Sequence, residues 1–502
     1  MVINMAIRHY VLLATDGFID LPTTKDLCPS PDTLQNVYVF GFVGGLYQVI
    51  EDGIVTFEDN SLNWKDPCNW QHLWELQTTA TIPSPILWAD QGDHLYVTLI
   101  NLGMPVSKLE DPHTIHLHGA HVATQIDGFP ETSFSVPMWM DPKELPPTAT
   151  YYFMPEHPGT YMYHCHVEAS EHVQMGMYGA MVIYPSVESL EAASIKMDAC
   201  GYWRYKGEVQ EMIPRYASHR HFAYNNIQTY FDQEYVMLLS DLDLKWHQVV
   251  QTAYETGLAF NASDFKPNFW LVNGRAFPDT LQPHPQTPPP GSNPNLTQIN
   301  YESYVHVKTD EKFLLRMINM GYAVVPWHIH GWHFTVIGKD AHPSPFLTIA
   351  QKLNEMSRYM PYSGHNMAMD HDMMNMAFTE TIGSGESHDL LLTADNKEPV
   401  YGKYIFHGQD MIPSLCEQMS QLDPAFIADI PTQPVSCKDT QTVNYVNLCD
   451  NHEFFPQFYP MHNHDDYKVT NTNTLETPAF SNYPGGQLTI IQTDAPSSPM
   501  KH

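Results

Sequence analysis

At 502 residues the chain is long enough for roughly three domains, or for fewer and larger all-β ones. Lysine and arginine number 24 against 56 aspartates and glutamates, a net charge of −32, which argues against nucleic acid and anionic membrane surfaces as partners and suits a cationic substrate or simple solubility. Hydrophobic residues at 43% are ample for buried cores, yet no run of 18 apolar residues occurs, so no membrane span is expected.

Residues 1–34 read as a lightly structured N-terminal extension. Met1-Val2-Ile3-Asn4-Met5-Ala6 lacks the charged stretch and apolar run of an export signal. From about Val37 short strands follow at Val37–Phe40, Ile86–Trp88, His94–Asn101, Thr150–Phe153, Gly159–Tyr163 and Met181–Tyr184. Their β-branched and aromatic residues, punctuated by Gly, Pro and Asn, give the pattern of an all-β sandwich. This first domain is expected over residues 35–186, with a linker over 187–234. A second set of strands starts at Tyr235–Leu239 and includes Phe269–Gly274 and Lys312–Asn319, with Pro283 to Pro294 as a surface loop between them. The second domain is expected over 235–495, carrying insertions at about 340–376 and 408–455.

The chemistry gathers at Tyr163-His164-Cys165-His166, followed closely by His172 and Met177. A blue copper site takes two His, one Cys and a weak axial Met, and Cys165, His172 and Met177 supply three of these. Side chains alternate along a strand, so His164 and His166 point away from Cys165 and need an acceptor of their own. An earlier string, His113-Thr114-Ile115-His116-Leu117-His118-Gly119, is where the missing donor and a second centre can be sought. The second half repeats both strings incompletely. Val325-Pro326-Trp327-His328-Ile329-His330-Gly331 has Val325 where the first has His113, and His462-Asn463-His464 has Asn463 where the first has Cys165. Both changes delete blue-copper donors and spare four histidines.

These strings, in this order, resemble the multicopper oxidase family, whose members carry H-x-x-H-x-H-G and H-C-H motifs. The resemblance implies two cupredoxin-like Greek-key β-sandwich domains with long loop insertions in the second. It implies a type 1 copper on His113, Cys165, His172 and Met177, and a type 2 copper on His116 and His328. A type 3 pair would take His118, His164, His166, His330, His462 and His464, making four coppers per chain. Spacing leaves no room for a third sandwich. The chain thus resembles two-domain members, which assemble as homotrimers with the cluster between one subunit's first domain and its neighbour's second. The activity implied is one-electron oxidation of a phenol-like or metal-ion reductant, coupled to four-electron reduction of O2 to water. Electrons are expected to arrive at an exposed edge of His172 and to pass from Cys165 to His164 and His166. Asp127, in Gln125-Ile126-Asp127-Gly128, matches a family acid that supplies protons, although Asp-Gly is equally a turn signal.

Other features stay open at this level. Met367, Met369, Met373, Met374 and Met376, interleaved with His365, Asp370, His371 and Asp372, could bind Cu(I) or fill a core. His407 is a lone imidazole where a pair is needed, so His462 and His464 are preferred as ligands. Removing Cys165 leaves six cysteines, an even number compatible with disulfides and an extracytoplasmic location, with Cys437 and Cys449 the first pair to test. Rival readings are a copper nitrite reductase, an electron carrier and a copper-storage protein. They differ in copper content: two per chain for the reductase and one for the carrier, against four for the oxidase.

Overall fold

The computed structural model of the protein describes residues 5–23, 34–258, 261–281, 302–347, 349, 376–395, 456–470 and 485–495, with two short strands between 433 and 443. The chain is all-β and builds two cupredoxin-like sandwiches. In the first, β1 (Ile7–Pro22), β2 (Leu34–Glu51), β3 (Ile54–Glu58), β5 (His94–Asn101) and β7 (Thr148–Phe153) form one sheet, in the order β3-β2-β1-β5-β7. The facing sheet has the order β4-β9-β8-β6, from β4 (Ser84–Asp90), β6 (His116–His118), β8 (Gly159–His164) and β9 (Tyr178–Tyr184). A short helix α1 (Trp70–Trp74) packs Trp74 against Trp139 at the sheet's edge.

The residues expected as an N-terminal extension instead supply β1, which pairs with β2 on one side and with β5 on the other. Its Val11-Leu12-Leu13-Ala14 run is fully buried on both faces, so the strand shows no alternation of apolar and polar residues. The expected linker is also folded. Helix α3 (Val187–Ala192) and the small sheet β10 (Ile195–Met197), β11 (Trp203–Tyr205) and β12 (Glu208–Val209) enclose Leu190, Trp203, Ile213, Phe222 and Tyr230. Arg220 ties this unit to the first sandwich through a two-pronged contact with Asp90 at 2.7 and 2.8 Å.

The second sandwich repeats the first. Its core strands are β13 (Gln233–Leu242), β14 (Phe269–Val272), β15 (Val305–Lys308), β16 (Lys312–Asn319), β17 (Val325–Ile329) and β18 (Phe334–Lys339). The short β19 (His342–Pro343) and β20 (Met376–Ala377), then β21 (Thr379–Ile382) and β22 (Ser387–Thr393), continue it. The two-residue strands β23 (Gln433–Pro434) and β24 (Thr442–Val443) pair only with each other, before β25 (Gln457–Asn463) and β26 (Leu488–Asp494). As β1 runs parallel to β5 and β5 antiparallel to β7, so β13 runs parallel to β16 and β16 antiparallel to β22. The facing sheets match in the same way, β4-β9-β8-β6 against β15-β26-β25-β17. The insertion expected at 408–455 and most of that at 340–376 lie outside the described residues.

The sandwiches meet on a buried polar seam. Arg316 Nε donates to Glu234 at 2.7 Å and its Nη1 to Thr160 Oγ1 at 3.0 Å, while Ser387 Oγ donates to the Thr160 carbonyl at 2.6 Å. Removing one partner of such a buried pair costs more than the pair is worth, because the other charge is stranded. The seam therefore fixes how the second domain lies on β8, the strand that carries His164.

Candidate metal centre

Strand pairing sets the site. In the first domain β6 pairs with β8 so that His116 stands opposite His164; in the second, β17 pairs with β25 so that His328 stands opposite His462. Two H-x-H pairs across two neighbouring strands put four imidazoles on one face. His116, His118, His164 and His166 form a ring with neighbouring centroids 5.1 to 5.5 Å apart. His328, His330, His462 and His464 form another at 4.8 to 5.7 Å.

Backbone carbonyls orient the rings. His164 Nδ1 donates to the Cys165 carbonyl at 2.8 Å, and His462 Nδ1 donates to the Asn463 carbonyl at 2.9 Å, the same contact in each domain. His116 Nδ1 donates to the Asp127 carbonyl at 2.7 Å and His328 Nδ1 to the Phe378 carbonyl at 2.6 Å. A carbonyl can only accept, so each of these rings keeps its lone pair on Nε2 and turns it inward. His330 Nε2 and His462 Nε2 lie 3.1 Å apart, and His118 Nδ1 lies 3.3 Å from His164 Nε2, close approaches that a shared cation would relieve. Among the described residues no ring contact joins one set of four to the other.

On the opposite face of β8 the donors are different. Cys165 Sγ lies 3.3 Å from His172 Nδ1 and 3.7 Å from His113 Nδ1, and all three residues are fully buried. His172 comes from the seven-residue helix α2 (Ala169–Met175). Met177 is buried in the same core, and its carbonyl accepts the Cys165 N–H at 3.0 Å. Among the described residues the corresponding place in the second domain holds no such donors. Asn463 Nδ2 donates to Gln487 Oε1 at 2.7 Å, Gln487 Nε2 in turn donates to the Ser240 and Leu271 carbonyls, and Val325 is buried beside them.

Burial also sets protonation. It pushes His164 down to about 3 and His172 down to about 4, and holds His113 well below its ordinary value, with the neighbouring His172 adding to the effect. Neutral imidazoles are what metal ligation requires. Burial pushes the Cys165 thiol up to about 11, against partial relief from nearby backbone N–H groups. Only a bound cation makes a thiolate there at neutral pH, so three converging buried donors, one of them a thiol, fit copper.

Residues 60–187, which hold His113 to His118 and Cys165 to Met177, match the sequence pattern of the multicopper oxidase family. That stretch therefore carries a multicopper oxidase domain. Over 102 residues the chain is 33% identical to copper resistance protein A of Escherichia coli, a stretch that is 20% of this chain and 14% of that protein. It thus spans about one seventh of the curated relative's length. Among solved structures, a blue copper oxidase from Nitrosomonas europaea matches with a TM-score of 0.48 and 19% identity, covering 97% of this chain and 85% of the other. A multicopper oxidase termed mgLAC matches at 0.48 and 17%, covering 98% and 88%. A copper nitrite reductase from Nitrosomonas europaea matches at 0.39 and 14%, covering 77% and 85%.

The structure bears on several expectations about the site. His172 has no exposed edge: it is wholly buried, with Phe40 stacked edge-on at 5.9 Å. The Asp127 carboxylate closes a turn by accepting the Phe129 N–H at 3.0 Å, and it is the Asp127 carbonyl that meets His116. Among the described residues Cys68 and Cys200 are exposed thiols with no disulfide partner. His407, Met367 to Met374, Cys28, Cys416, Cys437 and Cys449 lie outside the described residues. One group escaped the sequence reading. Glu168 and Glu171 bring carboxylate oxygens within 4.8 Å of a ring nitrogen of His172. Burial, then Glu168 and Asp111, push Glu171 up to about 7. The run Glu168-x-x-Glu171-His172 was the available signal.

Proposed function

We propose that the protein is a laccase-like multicopper oxidase with four coppers per chain. It couples one-electron oxidation of a phenol-like or metal-ion reductant to the four-electron reduction of O2 to water. The observation that carries this reading is the pairing of two matched four-histidine rings with a single thiolate site, His113, Cys165, His172 and Met177, on the back of just one of them. A nitrite reductase or an electron carrier has no use for the second complete ring.

The bound coppers supply the redox chemistry; the chain supplies geometry, dryness and protons. Cys165 would supply the thiolate from a fully buried position. His164 and His166 flank it covalently, and the His164 Nδ1–H bond to the Cys165 carbonyl adds a second, shorter link between the thiolate site and the ring. Asp127 is assigned the proton supply: its carbonyl meets His116 and its Oδ1 accepts the Phe129 N–H, which fixes the carboxylate in the turn next to the ring. The carboxylates of Glu168 and Glu171 next to His172, together with the net charge of −32, favour a cationic reductant.

Each ring holds four ligands where the full cluster takes eight. His116, His118 and His166 are half-buried in one ring, and His330 and His464 are exposed in the other. A head-to-tail homotrimer, bringing one subunit's first ring against its neighbour's second, completes the set. No helix among the described residues is long and apolar enough to cross a membrane; an extracytoplasmic location belongs to the proposal and is tested by cell fractionation. The deciding experiment is copper content with spectroscopy. Four coppers per chain, one giving intense blue absorption, support the oxidase; two point to the reductase and one to the carrier.

A further inference from the structure

Although His172 belongs to the first domain, much of what holds it in place comes from the second. α2 is too short to stay rigid on its own helical bonds. Second-domain groups grip it on both sides of the ligand. Tyr322 Oη donates to the Ser170 carbonyl, and Gln174 Nε2 donates to the Asp241 carbonyl at 3.1 Å. The third group sits on helix α4 (Leu244–Gln251), which follows β13 directly and lies on β2. There His247, with no exposed surface, donates from Nδ1 to the Tyr38 carbonyl at 2.6 Å and so ties α4 to β2, the strand whose Phe40 packs edge-on against His172. One turn further along α4, Val250 enters the core that contains Cys165, Met175 and Met177. Burial brings His247 down to about 4, so it is held as a neutral hydrogen-bonding ring and not as a charge.

We propose that α4 and Tyr322 are an interdomain clamp that positions the ligand helix α2 and seals His172, so that the reductant gives up its electron without touching that ring. His247 and Tyr322 are then positioning residues. The proposal rests on the blue-copper reading of Cys165 and adds a consequence for substrate choice. The oxidation is an outer-sphere step in which the donor loses one electron, the thiolate site gains one, and no bond forms or breaks. Small cationic complexes suit such a step at the Glu168 and Glu171 edge. A planar phenol that must stack on the ligand does not.

The test uses the copper-loaded protein and two variants, His247→Ala and Tyr322→Phe. Modification of His172 by diethyl pyrocarbonate, mapped by mass spectrometry, should be slow beside that of the exposed His121. His247→Ala should speed it about tenfold, the change expected when one buried hydrogen bond stops opposing local opening. Tyr322→Phe keeps the ring packed 5.2 Å from Phe265 and should give a smaller gain, so it decides the matter if His247→Ala does not fold. Both variants should shift the blue band and the reduction potential with copper content unchanged. Both should also raise phenol oxidation relative to hexaammineruthenium(II) oxidation. The clamp is wrong if wild-type His172 reacts as fast as His121, or if neither variant moves the modification rate or the potential. Loss of the blue-copper reading looks different: the wild type would lack the blue band, while the protection of His172 would still be read by mass.

Discussion

Set side by side, the two sandwiches share a strand plan, a register and a four-histidine ring, and the chemical difference lies behind the ring. In the first domain the back of the ring strand carries Cys165 with His113 and His172. In the second it carries Asn463, hydrogen-bonded to Gln487, with Val325 alongside. The difference follows from the period of a β-strand. Alternate residues face opposite ways, so the ring and the site behind it are chemically separate surfaces of one strand. One can be rebuilt while the other is kept. The second domain keeps its back face by its own hydrogen bonds; the first leaves a thiol in a fully buried pocket where a bound cation favours its ionisation.

Breaking the first back face should have the largest effect. Cys165→Ser is expected to abolish blue absorption and turnover while the other coppers stay bound, as read by absorption and metal analysis; a persistent blue band would place the thiolate elsewhere. Breaking the second ring should give the reverse. His462→Ala should lose oxygen reduction and keep the blue band, and full turnover would move that ligand to another residue such as His407.

Smaller effects sharpen the contrast. Asp127→Asn keeps an oxygen for the Phe129 N–H but loses the acidic proton, so oxygen consumption should fall by about 100-fold without loss of copper. An unchanged rate would reduce Asp127 to its turn. Acid should also tell the halves apart in metal-free protein. His164 and His172 sit near 3 and 4 when folded against 6.5 when free, so below pH 6.5 the unfolded chain takes up protons first. Stability is therefore lost as pH falls from 6.5 towards about 4, and the first domain should melt earlier, followed by calorimetry. Finally, Asn463→Leu strands the Gln487 amide and should cost the second domain about 1–3 kcal/mol, leaving the blue band untouched.

How much of this was legible in the sequence depends on range. Both H-x-H pairs and the paired losses at Val325 and Asn463 are local strings, and strand alternation alone separates Cys165 from its flanking histidines. β1 was missed because a strand buried on both faces carries no alternation, and the folded unit after residue 186 because its core is scattered over some forty residues. The burial of His172 was out of reach for another reason. The groups bonded to its helix and to β2 beneath it, Asp241, Tyr322 and His247, lie far along the chain and carry no metal-binding signal.

The separation of the two histidine rings within one chain has a genetic consequence. A chain disabled at Cys165 still has a sound second ring, and a chain disabled at His462 still has a sound thiolate site and first ring. Alone, each is dead. If rings are completed between neighbours, refolding the two together in equal amounts should restore activity, because about one in four head-to-tail contacts joins the two sound halves. Such rescue between inactive alleles would not occur if every chain closed its own site. It would also make a single defective copy costly in a mixed population, since each faulty chain spoils a contact with a healthy neighbour.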